Sequence, residues 1–198
     1  MNLYFLVVKN NNSVNHVKQI SWLRTFILVA FMALPLISCD DEVNSVFSTK
    51  YRVRCGFLVV NHAELINCID NLGQFSTIRQ SGSKIKMASS VSNTEYNVDE
   101  ISKDYYYGLG GLIIGTPTSP LDGQPYRAYD LACPNCDRNN YRLSVDVNGW
   151  AKCSHCGITY DLNSDGVILD KGESNFQSPR SLYRYRINYD GMRVHVYN

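Results

Sequence analysis

Cys133-Pro134-Asn135-Cys136 and, after sixteen intervening residues, Cys153-Ser154-His155-Cys156-Gly157-Ile158-Thr159-Tyr160 form two Cys-x-x-Cys turns with one segment between them. Two residues between cysteines let both sulfurs face one centre, and the turn aims backbone N–H groups at the thiolates. In the intervening segment Tyr141, Leu143, Val145 and Val147 alternate with polar residues, as along a half-buried strand. Asn148-Gly149 is a strong hairpin signal, and Trp150 to Lys152 runs back. A two-residue turn puts Cys153 opposite Ser144 and Cys156 opposite Tyr141, and so returns the second turn toward the first. Four sulfurs at this spacing read as a metal site. Four thiolates suit a tetrahedral zinc ion or an all-cysteine iron–sulfur cluster such as 2Fe-2S. Disulfides among Cys133, Cys136, Cys153 and Cys156 are the rival, although tight Cys-x-x-Cys bridges tend to be strained and redox-active.

The run Cys153-x-x-Cys156-Gly157-Ile158-Thr159-Tyr160-Asp161-Leu162 resembles the second cluster loop of Rieske iron–sulfur proteins, and Cys133 sits where the first Rieske loop carries its Cys. Ser178-Pro179, Leu182, Tyr185, Asp190-Gly191, Val194 and Val196 look like the proline loop and closing hairpin of that fold. The resemblance spans roughly residues 128–197. It implies an antiparallel β-sandwich or barrel carrying a small metal-binding subdomain. The ligand set departs from the family, which uses two cysteines and two histidines. Here Asn135 stands at the first His position with Cys136 beside it, and Cys156 replaces the second His. His155 falls one residue early and reads as an exposed loop residue.

The start of the chain reads as an address. Lys9, Lys18 and Arg24 precede an almost wholly apolar run over residues 25–38 that ends in Leu36-Ile37-Ser38-Cys39. At about fourteen residues the run is short for a bilayer span and suits a secretory signal core. The ending resembles the lipobox of bacterial lipoproteins, which implies cleavage before Cys39 and lipidation of its sulfur. Acyl chains at about 0.8 kcal/mol per buried CH2 hold such a protein on a membrane. The expected organisation is a signal peptide over 1–38, a lipidated Cys and acidic tether over 39–50, and one β domain over 51–198 with its metal-binding subdomain at about 130–162. The expected location is the cell envelope, on the outer membrane. An uncleaved anchor or a buried helix is the alternative for residues 25–38. Asp40-Asp41-Glu42 reads as an export signal, a retention signal or a solvated linker.

Without the three leading basic residues the chain has 16 basic and 18 acidic residues, which does not suggest nucleic-acid binding. Fourteen tyrosines favour strands. Tyr51, Val53, Cys55, Phe57 and Val59 alternate with Arg52, Arg54, Gly56 and Leu58, marking a strand. Asn61–Asp70 is a short helical turn or loop. Phe75–Arg79 and Lys84–Ala88 are short strands, and residues 89–106 are polar. Gly108-Leu-Gly-Gly-Leu-Ile-Ile-Gly115 invites comparison with phosphate loops but lacks their Lys-Ser/Thr context. It reads better as a glycine-kinked core strand. Cys55 and Cys68 are spare. Paired, they close a loop worth about 3 kcal/mol; unpaired, Cys55 packs as a small hydrophobe.

Asp161-Leu-Asn163-Ser-Asp165-Gly166 hints at a calcium loop, but the twelfth position is Gly172 and not Glu, so a β-turn is the expectation. Val167–Leu169 is a short strand, Gly172–Pro179 a polar loop that the Rieske resemblance implies lies over one side of the metal turns, and Leu182–Ile187 with Met192–Tyr197 a closing hairpin. His195 lies on a polar strand face. No Ser-His-Asp constellation, His-Glu-x-x-His or nucleotide fingerprint stands out, so no enzyme is expected. Three functions remain open: a zinc-clamped binding module, an electron carrier meeting a redox partner, and a thiol–disulfide protein.

Overall fold

A computed structural model describes residues 47–99, 102–120 and 123–198. The signal peptide, Cys39 and the acidic cluster lie outside the described residues. Chain order begins with β1 (Val53–Leu58), α1 (Ala63–Asp70), β2 (Gln74–Ser81), β3 (Lys84–Ala88), β4 (Asn93–Asn97) and β5 (Tyr106–Tyr107). It continues through β6 (Leu112–Thr116), β7 (Arg127–Asp130), β8 (Leu143–Val145), β9 (Trp150–Cys153) and β10 (Thr159–Asp161). It closes with β11 (Val167–Asp170), β12 (Arg184–Tyr189) and β13 (Arg193–Tyr197). The protein is therefore mostly β.

One antiparallel sheet takes nine strands in the order β4-β3-β2-β6-β7-β12-β13-β1-β5, and a second takes four, β11-β10-β9-β8. The small sheet is an excursion between β7 and β12, which are themselves adjacent in the large sheet. It runs on through β11, past residue 162.

The two faces of the large sheet feed two cores. Ile78, Leu112, Ile114 and Ala128 pack with β1, β13 and α1. Phe75, Ile113, Tyr129 and Leu131 point the other way, against Leu143, Ala151, Cys153, Ile158, Tyr160 and Leu162 of the small sheet and its loops. Strand β6 is thus buried along its whole length. This is why its sequence is a continuous apolar run and not an alternation.

Three expectations need revision. The segment Asn61–Asp70 holds a true helix, α1, whose Leu65, Cys68 and Ile69 recur at i, i+3 and i+4 and are buried on the first core. The polar stretch 89–106 contains β4, an edge strand paired residue for residue with β3. Its low β-propensity hid it, because only Tyr96 packs on the core. The third revision concerns the hairpin between the cysteine turns. Asp146 N–H donates to Trp150 O at 2.9 Å, so the loop is Val147-Asn148-Gly149, three residues and not two. The Asp146 carboxylate accepts from the N–H groups of Asn148 and Trp150, both at 2.9 Å, and fixes this longer turn. Register moves by one: Cys153 lies opposite Leu143, and Lys152 opposite Ser144. Val147 is left at the tip, 68% exposed.

Candidate metal centre

The two cysteine turns are built alike. Asp137 N–H donates to Cys133 O, and Gly157 N–H donates to Cys153 O, both at 2.9 Å. Each turn thus closes with its fifth residue in the left-handed region, Asp137 at φ 55° and Gly157 at φ 77°. Glycine adopts that conformation freely; Asp is among the few others that tolerate it. The sheets supply the frame. Cys133 N–H donates to Tyr141 O just before β8, and Cys153 N–H at the end of β9 donates to Ile158 O. Two equivalent knuckles therefore face each other across the β8–β9–β10 sheet.

All four sulfurs lie within 4.8 Å of one another. Cys133 Sγ is 3.6 Å from Cys156 Sγ, and Cys136 Sγ is 3.8 Å from Cys153 Sγ. A tetrahedral ion with bonds of about 2.3 Å to sulfur spaces its ligands about 3.8 Å apart. A two-iron cluster separates the thiolates on different irons by more than one tetrahedron edge, because a second metal stands between them. The 3.6 and 3.8 Å contacts match the tetrahedron edge, and the four sulfurs are close enough together to hold a metal ion. Cys133 and Cys153 are fully buried, while Cys136 and Cys156 form a half-exposed rim.

The chemistry of the donor set fits a cation. Burial opposes ionisation of Cys133, but the Tyr160 hydroxyl, 3.4 Å away, and the N–H groups of Cys136 and Asn135 outweigh it and bring the thiol below its ordinary value. Burial pushes Cys136 up, with the neighbouring sulfurs adding to it. Burial also pushes Cys156 up to about 11, against the N–H of Ile158. Four converging thiols cannot all ionise with nothing between them, and a divalent cation removes the conflict.

Outer residues hold the knuckles. Asn135, at the position where the resemblance implied a histidine, donates from Nδ2 to the Tyr160 hydroxyl at 2.7 Å and to Arg180 O at 3.0 Å. Its Oδ1 accepts from Arg180 N–H at 2.8 Å. The loop after β11 thereby covers the first knuckle, and Gly172 presses on Gly157 of the second. The Asp137 carboxylate takes Lys50 Nζ at 2.5 Å, Tyr51 OH at 2.7 Å and Tyr183 OH at 3.1 Å. Exposed His155 stacks flat on Tyr141, centroids 3.8 Å apart, and is not one of the four converging ligands.

The glycine-rich run cradles an anion, but an internal one. Asp130 is fully buried at the end of β7. Its Oδ2 accepts from Leu109 N–H at 2.6 Å and Tyr185 OH at 2.8 Å. Its Oδ1 accepts from Gly110 N–H at 3.0 Å and Ala132 N–H at 2.7 Å. A Cβ at Gly108, φ 75°, would stand 2.3 Å from that carboxylate. Burial raises the Asp130 carboxyl, against these four donors. Nothing in the sequence links Asp130 to a loop twenty residues earlier; only β6–β7 pairing brings them together.

The remaining candidates fall outside the centre. Cys55 on β1 and Cys68 on α1 are separate buried thiols, each pushed up to about 12 by burial. They pack as small apolar side chains and form no bridge. The calcium-like turn is otherwise engaged. Asp165 pairs with Arg127 and Arg184, and Asn163 ties Thr118 to Asn148. His195 is partly exposed, 3.7 Å from Asp190. A cavity of about 130 Å³ between β1, β3 and β4 is lined by Phe57, His62, Met87, Tyr96 and Tyr105. No sequence motif marked it. Among the described residues no helix is long and apolar enough to cross a membrane. Comparison of the chain with protein-family models, curated proteins and solved structures gives no match.

Proposed function

We propose that Cys133, Cys136, Cys153 and Cys156 bind a single tetrahedral metal ion, zinc, as the structural clamp of a binding module. The observation that carries this reading is the convergence of four sulfurs within 4.8 Å from two equivalent knuckles. A fully thiolate-ligated ion has no open position for water or substrate, so its role is to hold the small sheet together and not to catalyse. The inserted four-stranded sheet and its covering loop are in keeping with the Rieske resemblance, with an ion in place of the histidine-ligated cluster. The lipobox-like Cys39 supports display of the module on a membrane of the cell envelope.

The second reading is an electron carrier, favoured by the half-exposed rim of Cys136 and Cys156, which brings the centre to the surface. Elemental analysis and the visible spectrum of freshly purified protein decide between them. Colourless protein with one zinc per chain is the expected result. Red-brown protein with two irons and acid-labile sulfide would replace the clamp with the carrier, and protein free of metal would remove both.

A further inference from the structure

We infer that the four-cysteine centre is also a thiol switch that gives up two electrons per bridge, four in all, and that its oxidised form is joined across the knuckles, Cys133 to Cys156 and Cys136 to Cys153. This rests on the metal-bound reading above. Two sulfur contacts, of 3.6 and 3.8 Å, both run from one knuckle to the other, Cys133 to Cys156 and Cys136 to Cys153, within a cluster whose sulfurs all lie within 4.8 Å. Each pair has one half-exposed and one fully buried sulfur: Cys156 with Cys133, and Cys136 with Cys153. The rim sulfur is open to a small oxidant, and the buried one is placed to resolve it.

The reaction balances with hydrogen peroxide as oxidant. A rim thiolate attacks a peroxide oxygen; the O–O bond breaks, leaving a sulfenic acid, and the departing hydroxide takes a proton to become water. The facing buried thiolate then attacks the sulfenic sulfur. The S–S bond forms, the S–O bond breaks, and a second water leaves. Each bridge passes two electrons to one peroxide. Two peroxides and four protons therefore convert the four thiolates into two disulfides and four waters, and the cation is released. A dithiol reductant returns two electrons and two protons per bridge.

Geometry selects the pairing. Within a knuckle, the hydrogen bonds from Asp137 N–H and Gly157 N–H already fix the turn with its two sulfurs aimed outward at the common centre. Closing a bridge there turns both sulfurs off that centre and strains a tight ring. Across the knuckles, the sulfurs need only close the remaining gap to about 2.05 Å, above a sheet that holds both turns in place. The oxidised form keeps the knuckles pinned after the ion has gone.

The test uses the metal-loaded full chain. Peroxide is titrated with a chromogenic zinc chelator present, and the thiols are then blocked and the protein mapped by non-reducing mass spectrometry. Trypsin leaves Cys133 and Cys136 together in 128–138, and Cys153 and Cys156 together in 153–171. The expected result is one zinc released per two peroxides, a loss of four hydrogens, and the two peptides joined, with fragmentation assigning 133–156 and 136–153. Dithiol and zinc then restore the starting protein. Two unjoined peptides, each with an internal bridge, overturn the inference while leaving the metal centre standing, as do sulfinic acids or zinc retention in excess peroxide. Protein isolated without metal sinks the clamp instead, and the same map of its oxidised form decides the pairing by itself. As a second check, the Cys136→Ser/Cys153→Ser variant should form its 133–156 bridge with one peroxide, whereas Cys153→Ser/Cys156→Ser should keep Cys133 and Cys136 unbridged.

Discussion

Replacing Asp130 tests the anchor that holds the glycine-rich loop against β7 and β12. The carboxylate accepts four hydrogen bonds, two on each oxygen, from Leu109, Gly110, Ala132 and Tyr185. All are made by a side chain with no exposed surface. A buried donor left without its acceptor costs about 1–3 kcal/mol. Asp130→Ala orphans four, and with water entering the vacated space the expected loss is about 4–6 kcal/mol. That is a large share of the roughly 5–15 kcal/mol that holds a domain together. Asp130→Asn keeps the shape and one acceptor oxygen. Turned toward Gly110 and Ala132, its NH2 faces two N–H donors; turned the other way it faces the Leu109 N–H and the Tyr185 hydroxyl, which can rotate to accept, so the expected loss is about 1–3 kcal/mol. Urea unfolding followed by far-ultraviolet circular dichroism measures both. Asn within about 0.5 kcal/mol of wild type would refute the reasoning, because it would mean that the glycine-rich loop does not depend on an anion at this point.

Four further expectations concern the centre and its attachments. Cys133→Ser and Cys156→Ser should each lose most of the bound metal, and unchanged metal content in both would remove the site. Chelation should abolish hydrogen-exchange protection in β8, β9 and β10 while sparing β1, β3 and β13, because the two groups of strands serve different cores; equal loss in both would show that the cores are not separable. Asp137→Ala should be less stable than Asp137→Gly by about 1 kcal/mol, because both lose the Lys50, Tyr51 and Tyr183 contacts but only glycine relaxes at φ 55°; equal denaturation midpoints would count against this. Cys39→Ala should move the protein from the membrane fraction to the soluble periplasmic fraction, and retention on the membrane would end the lipoprotein reading.

The convergence of the four cysteines was legible because Cys-x-x-Cys spacing is a local constraint: two residues of turn geometry decide where two sulfurs point. Strands β1 and β8 were legible for the same reason, since alternation along a few residues reports one buried face. Strand β4 was not, because an edge strand gains its hydrogen bonds from β3 and buries little of its own. The hairpin register was missed by one residue because the Asp146 side chain competes with the Asn-Gly signal and wins two backbone N–H groups. The unbridged state of Cys55 and Cys68 follows from where β1 and α1 pack.

The sequence alone thus determined the β character and the two Cys-x-x-Cys turns, each written in neighbouring residues. Only the tertiary structure decided that the glycine-rich run cradles Asp130, that Asn135 locks Tyr160 to the Arg180 loop, and that the four sulfurs converge to within 4.8 Å of one another. Those outcomes depend on which strands lie side by side. Pairing between residues twenty to forty-five positions apart is set by the burial of whole sheet faces, which no short stretch of chain encodes.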